Sequence, residues 1–173
     1  MWSTFGLILA VSMWACAMGW LTQYDMPFNF TCPPDQFLAH LMSEYKHYYN
    51  DRVWDFKCRH PGNDVTLTNC EWSGYVNEFD RPLIYQCTTS GIITGISSYH
   101  ENYYEDRRFR FQCCQASGYL VTNCDFTPYV NNFDEHMEYV VEAGKIMRGA
   151  DGYHNNNKED RRWKFEICEL VPH

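Results

Sequence analysis

The sequence predicts an all-β protein: a single disulfide-stapled domain of three repeats of about 54 residues with pseudo-threefold symmetry, β-prism-like, with a β-trefoil as the alternative. Three observations predict it. The first is a motif that occurs three times, as Asp51-Arg52-Val53-Trp54-Asp55-Phe56-Lys57-Cys58, Asp106-Arg107-Arg108-Phe109-Arg110-Phe111-Gln112-Cys113-Cys114 and Asp160-Arg161-Arg162-Trp163-Lys164-Phe165-Glu166-Ile167-Cys168. The copies begin 55 and 54 residues apart (106 − 51 and 160 − 106). The second is their period-2 alternation of large apolar and polar residues, which marks a half-buried strand. The third is a set of cysteines that appear and vanish in couples between copies.

Taken in order, residues 1–19 carry no charge and run through Phe5-Gly6-Leu7-Ile8-Leu9-Ala10-Val11 to small residues. They read as a signal peptide cut after Ala17 or Gly19, although a basic leader is missing; the run is short for a membrane span. The mature domain is then 20–173, with repeats at about 20–59, 65–114 and 120–168. Asn29-Phe30-Thr31 is an N-glycosylation acceptor at Asn29. Tyr24–Cys32 aligns with Phe79–Cys87 and with Phe133–Val141, the last without its cysteine. Phe37, Leu38, Leu41 and Met42 fit helical spacing, but they align with the β-branched Ile92-Ile93-Thr94-Gly95-Ile96, so strand is expected. Val65-Thr66-Leu67-Thr68 is also strand-like, and Leu67–Asp80 repeats as Val121–Asp134. Its first copy would fall in the signal segment.

The register pairs the cysteines. With Cys16 in the leader, eight remain. Cys32 and Cys58 correspond to Cys87 and Cys113, and both positions become apolar together, as Val141 and Ile167. Cys114 and Cys168 have candidate partners in Cys70 and Cys124, whereas Arg59 at the equivalent place has none. Disulfides Cys32–Cys58, Cys87–Cys113, Cys70–Cys114 and Cys124–Cys168 are therefore expected, in an oxidising compartment.

Agreement among copies is first a structural signal. Trp54, Phe109 and Trp163, with Phe56, Phe111 and Phe165, are expected in the core. Asp51, Asp106 and Asp160 are expected to cap the turn entering the strand through local bonds to backbone. Arg52, Arg107 and Arg161 are expected to bridge to a carboxylate of the same or the next unit. The alternative for these pairs is an exposed Arg/Asp recognition strip.

The triple Asp-Arg-x-aromatic-x-Phe motif, with its bracketing cysteines and leader, resembles the dermatopontin family over essentially the whole mature chain. The resemblance implies a secreted, non-enzymatic extracellular-matrix protein that binds matrix proteins, proteoglycans or cell-surface receptors. Vertebrate members carry further cysteines and a long tyrosine-rich acidic N-terminal stretch. This chain has only Tyr24-Asp25 before Cys32, which leans toward an invertebrate-type member, some of which are agglutinins. No Arg-Gly-Asp is present.

The rival reading is a lectin. Loops with Tyr48, Tyr49, His100, Tyr103, Tyr104, His154, Asn155, Asn156 and Asn157 carry aromatic rings to stack on sugars and amides to bond hydroxyls. An enzyme is not expected, since no nucleophile elbow, zinc-protease motif or phosphate loop appears. Nor is a cofactor or metal site expected: His40 and His47 lie seven apart and the other histidines are scattered. The net charge of −8 argues against nucleic acid. Neither is membrane insertion expected, and exposed strand edges would allow a homo-oligomer.

Overall fold

A computed structural model describes residues 19–62, 64–88 and 90–173, so the proposed leader lies almost wholly outside the described residues. Every regular element among them is a strand: β1 (Phe28–Thr31), β2 (Phe37–Lys46), β3 (Asp51–Arg59), β4 (Leu67–Trp72), β5 (Leu83–Gln86), β6 (Gly91–Glu101), β7 (Asp106–Ala116), β8 (Tyr119–Phe126), β9 (Met137–Val140), β10 (Lys145–Asn155) and β11 (Asp160–Pro172). Phe37–Leu41 is strand, as its alignment with Ile92–Ile96 requires. No helix among the described residues is long and apolar enough to cross a membrane.

Three long antiparallel hairpins, β2–β3, β6–β7 and β10–β11, form the framework. Each turns through four residues and ends on a left-handed residue directly before the Asp-Arg pair: Asn50, Glu105 and Glu159, at φ 45°, 47° and 48°. Only the first is a residue that favours this conformation. Each hairpin also slips register at the same place, between Leu38 and His40, Ile93 and Gly95, and Met147 and Gly149. These bulges bend the strands and increase their twist.

The short strands are exchanged. β1, which precedes the first hairpin, pairs with β6 of the second; β5 pairs with β10 of the third; β9 closes the cycle on β2 of the first. Outer strands β4 and β8 cover β7 and β11. The outer edge of β3 has a single substitute: Trp54 N–H donates to Thr22 Oγ1 (2.8 Å) and Thr22 N–H donates to Trp54 O (3.2 Å).

The disulfides are Cys32–Cys58, Cys70–Cys114, Cys87–Cys113 and Cys124–Cys168, the pairs set by the sequence register. Two kinds can be distinguished. Cys70–Cys114 and Cys124–Cys168 join neighbouring strands at irregularities in one sheet. Cys32–Cys58 and Cys87–Cys113 tie the end of an exchanged strand back to the hairpin of its own repeat, and so cross between sheets. Val141 and Ile167 are buried in the core where the third such bridge would lie.

Period-2 alternation decides what fills the centre. Trp54, Phe109 and Trp163 are fully buried and touch one another edge to face, with centroids 6.1, 5.7 and 4.9 Å apart. Phe56, Phe111 and Phe165 share the face two residues on and are buried as well. Edge-to-face packing adds to the area term because ring edges are positive and ring faces negative.

Candidate functional site

The same alternation places the Asp-Arg pair beside the aromatic centre, where the chain must neutralise it. Arg52 grips Asp160 through Nε and Nη2 at 2.6 and 2.8 Å, and Arg107 grips Asp51 through the same two groups at 2.6 Å each. Arg161 reaches Asp106 through Nη2 at 2.7 Å. Each arginine thus bonds the aspartate of the preceding repeat in a closed ring of three pairs, all six residues buried. Each aspartate also accepts a backbone N–H from 26 residues earlier: Asp25 to Asp51, Asp80 to Asp106 and Asp134 to Asp160. The three donors sit in the left-handed region at φ 60°, 60° and 65°.

This arrangement corrects two expectations. The aspartates are not local turn caps, because their backbone bonds are long-range. The Arg/Asp recognition strip is excluded, since the pairs are shielded from solvent. The cavity framed by this ring and the aromatic trio holds only about 20 Å³, room for about one water. It is a joint between repeats, too small to receive a sugar or peptide.

The candidate ligand residues divide in two. Tyr48 and Tyr103, at the hairpin tips, are 83% and 84% exposed. Each meets its neighbour edge-on: Tyr48 with Tyr49 and Tyr103 with Tyr104, at 4.9 Å in both cases. Those neighbours are themselves stacked, Tyr49 on Tyr24 at 4.5 Å and Tyr104 on Phe79 at 4.7 Å. Asn156 and Asn157 are exposed at the third tip, and Asn155 closes β10. By contrast, His100 and His154 lie within β6 and β10, and their side chains are 1% exposed. Their removal from the ligand set is a correction with a simple cause: the hairpin is longer than its tyrosine-rich tip suggested, and alternation turns both imidazoles inward.

The position of His100 and His154 is held in the first hairpin by Tyr45. Its hydroxyl donates toward Asn50 Oδ1 at 3.1 Å and Lys158 O at 3.0 Å, and burial, followed by Asp160, pushes its pKa up. Burial likewise pushes Tyr139 up to about 12. An unfolded phenol ionises near pH ~10. The stability from these two groups is therefore complete below about pH 10 and is lost as pH rises from there toward their folded values. Tyr45→Phe and Tyr139→Phe are expected to flatten this alkaline loss, measured as the change in urea midpoint between about pH 8 and about pH 11.

A shallow groove of about 410 Å³ beside the first tip was not singled out in the sequence. Trp20, Thr22, Gln23, Tyr24, Tyr49 and Val53 line it. Nothing about Trp20 or Gln23 marks them locally, because they come from the N-terminal segment laid across β3.

Comparison with known proteins places this geometry in context. The Dermatopontin family model matches residues 22–171. The chain is 43% identical over 143 residues to a dermatopontin of Biomphalaria glabrata, covering 83% of this chain and 95% of that protein. It is 32% identical to the hemagglutinin/amebocyte aggregation factor of Limulus polyphemus, covering 95% of each. Identity to the dermatopontin of Mus musculus is 27%, over 88% of this chain and 78% of that one. No solved structure matches.

Proposed function

Because this chain belongs to the dermatopontin family, we propose that it is a secreted, non-enzymatic adhesion protein of the extracellular matrix that engages matrix proteins, proteoglycans or cell-surface receptors through its hairpin tips. The observation that carries this reading is a pair of tyrosines at the tips, Tyr48 and Tyr103, almost fully exposed yet braced by stacked neighbours. Exposed aromatic rings held in place bind at low cost in side-chain entropy. The scaffold beneath them is rigid through four disulfides and a buried ionic ring.

The groove around Trp20, Tyr24 and Tyr49 favours a second reading, a lectin or agglutinin. An aromatic wall with Gln23 beside it offers a stacking face and an amide, the two features that a pyranose requires. Several weak sites on one block, or on a homo-oligomer, would act together through avidity.

The wider architecture belongs to the same proposal. Three repeats related by a pseudo-threefold axis in a β-prism account for the cyclic strand exchange and the closed ring of ion pairs. Cleavage after Ala17 or Gly19 would deliver residues 20–173 to an oxidising compartment. Asn29 and Thr31 are exposed on β1, which suits glycosylation at Asn29.

Binding of the secreted, non-reduced protein to immobilised matrix extract and to a glycan array tests both readings. Tyr48→Ala with Tyr103→Ala is expected to reduce matrix binding at least ~10-fold while changing stability by no more than about 1 kcal/mol, as exposed substitutions do. Saturable binding to a neutral sugar, with no matrix binding, would replace adhesion by the lectin reading. Unchanged binding in the double variant would remove the tips from both.

A further inference from the structure

We propose that Asp80, Asp106 and His154 form a binding site for a divalent cation of the zinc class, at the joint between the second and third repeats. His154 Nδ1 faces Asp80 Oδ1 at 3.8 Å, and its Nε2 faces Asp106 Oδ1 at 3.7 Å. Neither ring nitrogen has a hydrogen-bond partner, and neither does Asp80 Oδ1, although all three atoms are buried. Buried polar atoms are nearly always satisfied, so an orphaned ring nitrogen beside an orphaned carboxylate oxygen points to a missing ligand. One donor atom from each of the three residues lies within 4.8 Å of the others. Two ligands on a tetrahedral metal at zinc–nitrogen and zinc–oxygen lengths are about 3.3 Å apart. A single ion can take only one ring nitrogen, so the three donors, within 4.8 Å of one another, have to draw in by as much as about 1.5 Å.

The repeats supply an internal comparison. At the corresponding place between the third and first repeats stand Asp134, Asp160 and Tyr45. There Lys158 Nζ reaches Asp134 Oδ2 at 2.9 Å and supplies the positive charge. Tyr45 is satisfied by Asn50 and Lys158, and Arg52 takes both oxygens of Asp160. Between the first and second repeats stand Asp25, Asp51 and His100. Arg107 takes both oxygens of Asp51 there, and Asn102 Oδ1 lies 3.3 Å from His100 Nδ1. His100 Nε2 and Asp25 Oδ1 also lack partners there, but at the proposed site the arginine holds its aspartate less completely. Arg161 spends Nη1 on Arg81 O and Gly152 O, leaves Nε without a partner, and bonds Asp106 through Nη2 to Oδ2 alone. Asp106 Oδ1 is thereby turned to His154.

Donor chemistry selects the cation. One imidazole and two carboxylates suit zinc, whereas calcium takes six to eight oxygens, more than this buried site offers. The three ligands are 26 and 48 residues apart (106 − 80 and 154 − 106), so no motif spacing could display them. A bound cation would fasten the second repeat to the third.

The full secreted protein, with its disulfides intact, is dialysed against chelator and titrated with zinc chloride by calorimetry, then with Co²⁺ by visible absorption. A saturable uptake of one equivalent is expected, with a rise in Tm and the d–d bands of a four- or five-coordinate Co²⁺. His154→Tyr, which installs the residue native to the first hairpin, is expected to weaken uptake at least ~100-fold, since even outer-shell partners cost 10–100-fold. Asp80→Asn serves if that variant does not fold, and Asp134→Asn is expected to leave uptake unchanged. No uptake by the wild type would overturn the site. Equal uptake by His154→Tyr or Asp80→Asn would too, by assigning the metal to surface histidines. So would an NMR signal showing His154 as an imidazolium between the two carboxylates with zinc present.

Discussion

Arg107→Ala is expected to destabilise the protein by roughly 3–5 kcal/mol, because it strips one partner from a buried ion pair and leaves the other charge uncompensated. Asp51 is 4% exposed and would keep a single backbone N–H, from Asp25, in place of three donated bonds. Losses should also spread along the chain. Arg107 holds Met26 O through both terminal nitrogens at 3.2 Å and lies over the Phe28 ring at 5.5 Å, so it anchors the start of β1 on the second hairpin. In a domain of this size, Tm should fall by roughly 2–4 °C per kcal/mol. Hydrogen exchange should show β1 opening early. Replacing both partners with apolar residues, as Arg107→Met with Asp51→Leu, is expected to recover part of the loss, since a buried pair need not outweigh its own desolvation. A single variant within about 1 kcal/mol of wild type in urea titration would show that solvent reaches the ring.

Trp163→Ala is expected to cost a similar roughly 3–5 kcal/mol, by a different route. Trp163 is 1% exposed and meets Trp54 at 5.7 Å, Phe109 at 4.9 Å and Phe165 at 6.3 Å. Truncation leaves a cavity where three hairpins converge, and the disulfides and the ionic ring prevent them from collapsing into it. Trp163→Phe is expected to cost much less, because phenylalanine already fills the equivalent place at Phe109. Both variants should keep the alkaline profile set by Tyr45 and Tyr139. A cost for Trp163→Ala below about 1.5 kcal/mol in equilibrium urea unfolding would contradict a close-packed centre.

Several features were legible because they are linear in sequence. Strand and core follow from alternation, which puts Trp54 and Phe56 on one face whatever that face later meets. Disulfide pairing was legible because repeats provide a register, and a cysteine lost at Ile167 together with its partner at Val141 names the couple. The exposed tips were legible in part, since Tyr48 and Tyr103 follow strand-like segments and precede Asp-Arg. His100 and His154 were misplaced because the hairpin's length depends on pairing with β7 and β11, which local composition does not reveal.

The chain by itself determined that strands would form, which face of each would be apolar, and which cysteines would marry. These properties depend on period and on like positions in like copies. Only the tertiary structure decided that β1, β5 and β9 would leave their own repeats to pair with the next hairpin. It likewise decided that each arginine would reach the preceding repeat's aspartate, and that His154 would face Asp80 and Asp106. The physical reason is that repeats with the same motifs at the same spacing offer each other similar edges, charges and rings. Local pattern cannot rank pairing within a copy above pairing between copies; that choice rests on closing all three hairpins around one aromatic centre with each of the three buried arginines facing an aspartate.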